Sequence, residues 1–171
     1  MQVSRLKQSV IGCNELEKLV KELSPVRIID TRDRDSYHEG HIPGAISMVW
    51  SDWSAPPPDH VDKKFSQPGW WGELSSELDF ATRLSKLGLS SNERIIVYGD
   101  GPGTRGRDGR VAWMLLRSGA QDVSLLSGGW SDWVAGGRTV FSNTPSLKKG
   151  DFDFFNDKIR SISIDGLRGL S

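Results

Sequence analysis

Residues 94–117 set a β-rich run, a glycine-rich loop and a helix in direct succession, and few architectures accept that order. The run Arg94-Ile95-Ile96-Val97-Tyr98 is almost wholly apolar, as a strand covered on both faces must be. The loop is Gly99-Asp100-Gly101-Pro102-Gly103-Thr104-Arg105-Gly106-Arg107-Asp108-Gly109, and a helical stretch over 110–117 follows it. Strand, loop and helix in this order form the first half of a crossover between parallel strands. Backbone N–H groups converge at such a junction, with the positive end of the helix dipole behind them. The loop is therefore a candidate cradle for an anion.

The rest of the chain repeats the alternation. Asn14 reads as an N-cap with Glu17 three residues on, opening a helix that carries Leu16, Leu19, Val20 and Leu23 and stops at Pro25. Residues 26–30 and 45–50 read as strands. The stripe Leu74, Leu78, Ala81, Leu84 and Leu87, closed by Gly88, marks a further helix. A strand at 122–126 and a short helix from Trp130 to Gly136 complete the pattern. The expected architecture is a three-layer α/β sandwich over residues 9–137, with a mostly parallel sheet of about five strands flanked by helices. Residues 51–73 form a long excursion rich in Pro, Gly, Trp and Asp. A loop of that length inside a compact domain is functional or packs back as cover.

Composition narrows the function classes. The 171 residues carry 22 basic and 22 acidic side chains, so no basic field is available for nucleic acid. No stretch approaches the ~18 apolar residues of a membrane span. The first residues lack a secretory signal, which points to the cytoplasm, with an organelle left open because a transit peptide can be removed. The single cysteine, Cys13, rules out an internal disulfide and a multi-thiolate metal site. No metal and no cofactor are expected. The seven tryptophans read as core and loop cover rather than an aromatic cage.

Two motifs carry a family resemblance. Gly40-His41-Ile42-Pro43-Gly44-Ala45 stands ten residues after Asp30-Thr31-Arg32, and Leu126-Ser127-Gly128-Gly129-Trp130 is followed by Trp133. With the loop at 99–109 they resemble the rhodanese-like sulfurtransferase domains over residues 9–137. The resemblance implies a loop thiolate that takes the outer sulfur of thiosulfate or 3-mercaptopyruvate and passes it on from a persulfide. In that family the loop opens with the reactive cysteine. Here its place falls at Gly99 or Asp100, so the loop of Gly99, Asp100, Gly101, Gly103, Thr104, Arg105, Gly106 and Arg107 is degenerate and no catalytic residue is assigned. A carboxylate at Asp100 opposes an anionic donor. Arg105 and Arg107 either hold a sulfonate, a phosphate or a partner domain, or merely solvate an exposed loop. The cell-cycle dual-specificity phosphatases share the fold, but their chemistry needs Cys, five residues, then Arg, and no cysteine precedes either arginine at that spacing. Cys13 reads as a small buried hydrophobe at a strand-to-helix junction. Asp30 and Arg32, near Glu39, read as an ion pair pinning two loops. His41 is expected to hydrogen-bond the backbone of its own turn, and Gly44, Gly128, Gly129 and Trp130 complete the structural motif.

The tail adds an expectation about organisation. Residues 138–160 read as linker. Residues 162–170 then mirror residues 11–19 at a constant offset of 151, in apolar positions, in Asn or Asp at the helix start and in leucine spacing. On this reading residues 161–171 begin a truncated second domain. The resemblance is then to the first, non-catalytic half of a tandem sulfurtransferase, whose full-length form would transfer sulfur to cyanide or thiol acceptors. The expected partner is the second rhodanese domain of the same protein, with a small anion possible in the loop and neither nucleic acid nor membrane involved. The alternative is a free-standing pseudoenzyme that binds an anion or a protein. An active enzyme using Cys13 is a third, weaker reading.

Overall fold

The computed structural model describes residues 9–53, 77–102 and 106–154. Within these, strand β1 (Val10–Ile11) leads to helix α1 (Cys13–Lys21), β2 (Val26–Asp30), α2 (Arg34–Glu39) and β3 (Ala45–Ser47). A turn of 3-10 helix (Trp50–Trp53), α3 (Glu77–Lys86), β4 (Arg94–Tyr98), α4 (Arg107–Arg117), β5 (Asp122–Leu126) and α5 (Gly129–Ala135) follow. The five strands lie in the order β1-β5-β4-β2-β3, and every pairing is parallel. This is the expected α/β sandwich, with a sheet that is parallel throughout.

Strand alternation sorts the core into two layers. Ile29, Ile95 and Val97 face Phe80 and Leu84 of α3 and Val111, Met114 and Leu115 of α4. Ile28, Ile96 and Tyr98 face the other way, onto Leu16 of α1 and Trp133 of α5. Two-sided burial explains why β2 and β4 read as continuous apolar runs.

Several local expectations need correction. Gly12, not Asn14, precedes the first turn of α1 and makes no side-chain cap. The Asn14 side-chain Oδ1 instead accepts from Arg138 Nη2, which clamps α1 to the end of α5. The second strand candidate stops at Ser47, because the chain turns into the 3-10 helix at Trp50. Helix α4 begins three residues earlier than residue 110 and α5 one residue earlier than Trp130. The expected ion pair between Asp30 and Arg32, by contrast, is present.

The segment after α5 is irregular and mostly exposed over 138–154, but it is tied to the domain at several points. Phe141 bridges His41 in antiparallel fashion, exchanging N–H···O bonds of 2.7 and 2.9 Å. Further on, Gly150 N–H donates to the Ser85 carbonyl at 2.8 Å and Phe152 is buried against the α3 layer. The strap thus runs from one layer, around the β3 edge, to the other. Residues 54–73 of the excursion, with Trp70 and Trp71, and the repeat at 162–170 lie outside the described residues.

One buried charge organises the sheet's C-terminal edge. Arg32, 3% exposed, pairs with the fully buried Asp30 at 2.7 Å, donates to the Gly40 carbonyl, and stacks 4.0 Å from the Trp130 ring centre. Removing one partner of such a pair leaves an uncompensated buried charge. Arg32→Met is expected to lower stability by about 3 kcal/mol or more. The double variant Asp30→Asn/Arg32→Met should recover part of that loss, read as midpoints of urea unfolding.

Candidate functional site

The glycine loop sits where sheet topology puts it, beyond the C-terminal end of the central strand β4. Tyr98 ends that strand, and Gly99 behind it is buried. A Cβ built on Gly99 would stand 3.4 Å from Thr31 Oγ1 and 3.7 Å from Asp108 Cγ. There is room for a side-chain stub at this point, and a carboxyl group already fronts it.

The mouth of the loop interlocks with the turn before α5. Gly99 and Asp100 contribute carbonyls that accept from the Trp130 and Ser131 backbone N–H groups at 2.8 and 2.9 Å, and Ser131 Oγ also donates to Asp100 O. The free amides at the N-terminus of α5 are therefore capped by the loop itself. The two chains approach so closely that a Cβ on Gly129 would lie 2.5 Å from Gly99 O. Gly128 and Gly129 also hold φ of 74° and 57°, a region open to glycine and strained for other residues. Packing and backbone conformation together account for the Gly-Gly-Trp motif.

At the other end of the loop, Gly106 takes a left-handed conformation and α4 starts at Arg107. Asp108 lies in its first turn, with Oδ1 accepting from the Gly109 N–H at 2.9 Å. A carboxylate there complements the helix dipole, as a bound anion would. Asp108 was not singled out from the sequence. Its signal was the ordinary one of an acidic residue in a first helical turn. Arg107 is exposed, and Gly103, Thr104 and Arg105 lie outside the described residues.

The remaining motif residues are structural in their contacts. Tyr98 Oη donates to Asp30 Oδ2 and accepts from the Ile42 N–H. Burial, then the Asp30 carboxylate, push the Tyr98 phenol far above its ordinary range. Burial alone would lower the Arg32 guanidinium, but the hydrogen bonds and charge of Asp30 offset it and the net shift is upward. His41 is buried, with Nδ1 2.8 Å from Tyr37 O and Nε2 3.2 Å from Asn143 O. Both contacts are to backbone carbonyls, as expected in kind, but they lie in α2 and in the strap rather than in the 40–45 turn. Gly44, at φ 80°, closes the turn in which Ala45 N–H donates to Ile42 O.

Cys13 stands at the start of α1, after edge strand β1, two strands from the loop. Its Sγ lies 3.7 Å from Ser127 O. Burial raises the thiol pKa, Arg138 lowers it and Asp132 raises it again, for a net upward shift. That is opposite to the depression that activates a nucleophilic cysteine. Among the described residues no three of His, Cys, Asp and Glu are grouped to hold a metal ion, and no helix is long and apolar enough to cross a membrane.

Comparison with known proteins follows the same lines. A rhodanese-like domain model matches residues 13–136. The sulfur carrier protein TtuD of Thermus thermophilus is 30% identical over 149 residues, 85% of this chain and 47% of its own length. The thiosulfate sulfurtransferase YnjE of Escherichia coli is 32% identical over 123 residues, 69% of this chain and 23% of its own. The E. coli 3-mercaptopyruvate sulfurtransferase is 28% identical, covering 75% and 45%. The chain thus spans about a quarter to a half of the length of these relatives. In fold, the crystal structure of SseA from E. coli superposes with a TM-score of 0.78 at 24% identity, over 95% of this chain and 61% of that one.

Two outcomes follow from the site geometry. Gly129→Ala, which drives a methyl into Gly99 O, is expected to destabilise the protein by about 2 kcal/mol or more in thermal unfolding. Because the folded environment raises the pKa of Cys13, its alkylation by iodoacetamide at pH 7 should be slower in the native chain than in the same chain unfolded in urea. The midpoint of its pH–rate profile should lie higher.

Proposed function

The chain belongs to the rhodanese-like domain family, whose sulfurtransferase members it resembles in sequence, and from that premise we propose that it is a non-catalytic rhodanese-like half of a tandem sulfurtransferase. The full-length form would carry sulfur from thiosulfate or 3-mercaptopyruvate to cyanide or a thiol. The observation that carries the reading is the seat beyond β4. Gly99 and Asp100 stand where the family places its thiol, and the Asp108 carboxyl group fronts the space such a thiol would enter.

Sulfur transfer needs a nucleophile that attacks the outer sulfur of the donor and keeps it as a persulfide while sulfite or pyruvate departs. Neither a glycine nor a carboxylate can store sulfur in that form. The anion-attracting end of α4 is complemented by the chain's own Asp108 rather than left for a donor. Cys13 has a raised pKa and lies beyond β5, away from this seat. The domain would act instead through surface, packing against a catalytic rhodanese domain and contributing a wall of its cleft. The length of the relatives, two to four times that of the matched stretch, favours this over a free-standing module.

The purified chain, incubated with thiosulfate or 3-mercaptopyruvate and then cyanide, is expected to form no thiocyanate above buffer, and its mass should show no added sulfur atom. The encoding reading frame is expected to continue into a second rhodanese-like unit whose loop opens with cysteine. Stoichiometric persulfide on this chain, or a frame with no such unit on either side, would overturn the reading.

A further inference from the structure

His41 is fully buried where the strap crosses the end of α2, and both of its ring nitrogens face backbone carbonyls. Nδ1 lies 2.8 Å from Tyr37 O and Nε2 lies 3.2 Å from Asn143 O. A carbonyl oxygen only accepts. The neutral imidazole has one N–H to give, and the imidazolium has two. Both contacts are therefore hydrogen bonds only while the ring carries its second proton.

The two carbonyls differ in what they lose without the ring. Tyr37 is buried and lies in the last turn of α2, where carbonyls have no helical donor ahead of them. Asn143 is exposed, so its carbonyl can turn to water at little cost. A neutral ring thus keeps its proton on Nδ1 for Tyr37 and points the Nε2 lone pair at Asn143 O, a repulsive contact. The surroundings weigh on the same balance. The Tyr37 ring stacks on the imidazole, with centroids 4.0 Å apart and planes 6° apart, and offers a π face that attracts a cation. From the strap come Phe141 and Asn143, both uncharged, and from α2 come His38, edge-on to Tyr37, and the exposed Glu39. Arg32 reaches the neighbouring Gly40 carbonyl, with Asp30 as its countercharge. Burial opposes a charge on the ring, and two charge-assisted bonds with the Tyr37 face support it.

From this geometry we propose that His41 is a proton-operated clasp on the strap. With two ring protons it donates to Tyr37 O and Asn143 O and fastens the strap to α2. On losing one it keeps Tyr37 and releases Asn143, which leaves this end of the strap to the Phe141 bridge. The fastened state belongs to the acid side of the ring's titration and the loosened state to the alkaline side. The far end of the strap, where Gly150 N–H donates to Ser85 O and Phe152 is buried, has no histidine and stays in place. The clasp uses no part of the β4 loop and does not depend on the sulfur-transfer reading.

The test follows the ¹⁵N-labelled full chain by NMR from about pH 5 to about pH 8.5, the range in which histidines titrate. Long-range ¹H–¹⁵N spectra report the protonation and tautomer of the His41 ring, and amide exchange reports the strap. The ring is expected to pass from imidazolium to the neutral form with its proton on Nδ1. Protection of the Phe141 amide, corrected for the intrinsic pH dependence of exchange, should fall about tenfold or more with the same midpoint, as loss of a charge-assisted bond implies. The Gly150 amide should keep its protection. In His41→Gln the Phe141 amide should lose its pH response; should that variant fail to fold, the wild-type ring spectra decide alone. A ring that holds one protonation state across the range, a neutral ring protonated on Nε2, Phe141 protection that ignores the His41 midpoint, or a loss shared by Gly150 would each overturn the proposal.

Discussion

A guanidinium sealed inside a protein is tolerable only when its charge and its N–H groups are answered, and Arg32 meets that condition through four different pieces of chain. Asp30 at the end of β2 supplies the countercharge, Gly40 after α2 a carbonyl, Tyr98 at the end of β4 a hydroxyl linked through Asp30, and Trp130 at the start of α5 a ring face. Asp30 and Gly40 are local, while Tyr98 and Trp130 are remote in sequence and meet the pair only when the parallel order of the sheet is correct. Desolvating both charges is costly, and replacing the pair by apolar groups could leave stability unchanged. What the pair contributes is register. A sheet edge assembled any other way would leave the buried pair without the Tyr98 hydroxyl and the Trp130 ring.

The same edge explains why the glycine loop and the Gly-Gly turn behave as one unit. With Trp130 fixed over Arg32, the N-terminus of α5 faces the end of β4, and its amides take the carbonyls of Gly99 and Asp100. No Cβ fits between the two chains at Gly101 or Gly129. The contact has the character of a sheet rung rather than a flexible lid: backbone to backbone and short. Asp108 then completes the surroundings of the seat with negative charge of the chain's own making.

Much of this was legible in the sequence, for reasons that can be traced to particular residues. Residues 26–30, 94–98 and 122–126 match β2, β4 and β5 in their bounds because central parallel strands are apolar on both faces and end where polarity returns. The shorter elements left no such trace. β1 is two residues, and α2 buries Tyr37 amid polar neighbours, which is too little for a helical period. Asn14 misled because its side chain answers Arg138, 124 residues away, and local pattern carries no information about that distance. The place of the glycine loop after β4 was legible, whereas the Asp108 carboxyl beside Gly99 is a consequence of how α4 enters the loop. His41 was legible in half. Its bond to Tyr37 is local, but its bond to Asn143 belongs to the strap.

The geometry also separates what shapes the mouth of the loop from what a side chain at its first positions would add. Everything that shapes the mouth of the loop comes either from backbone groups or from side chains on other elements. Gly99 and Asp100 contribute carbonyl oxygens, which every residue possesses, while the orientation of the mouth is set by Arg32, Trp130 and Ser131. A thiol at position 99 or 100 would project from this frame without supporting it. Selection on sulfur chemistry and selection on folding therefore act on different atoms here.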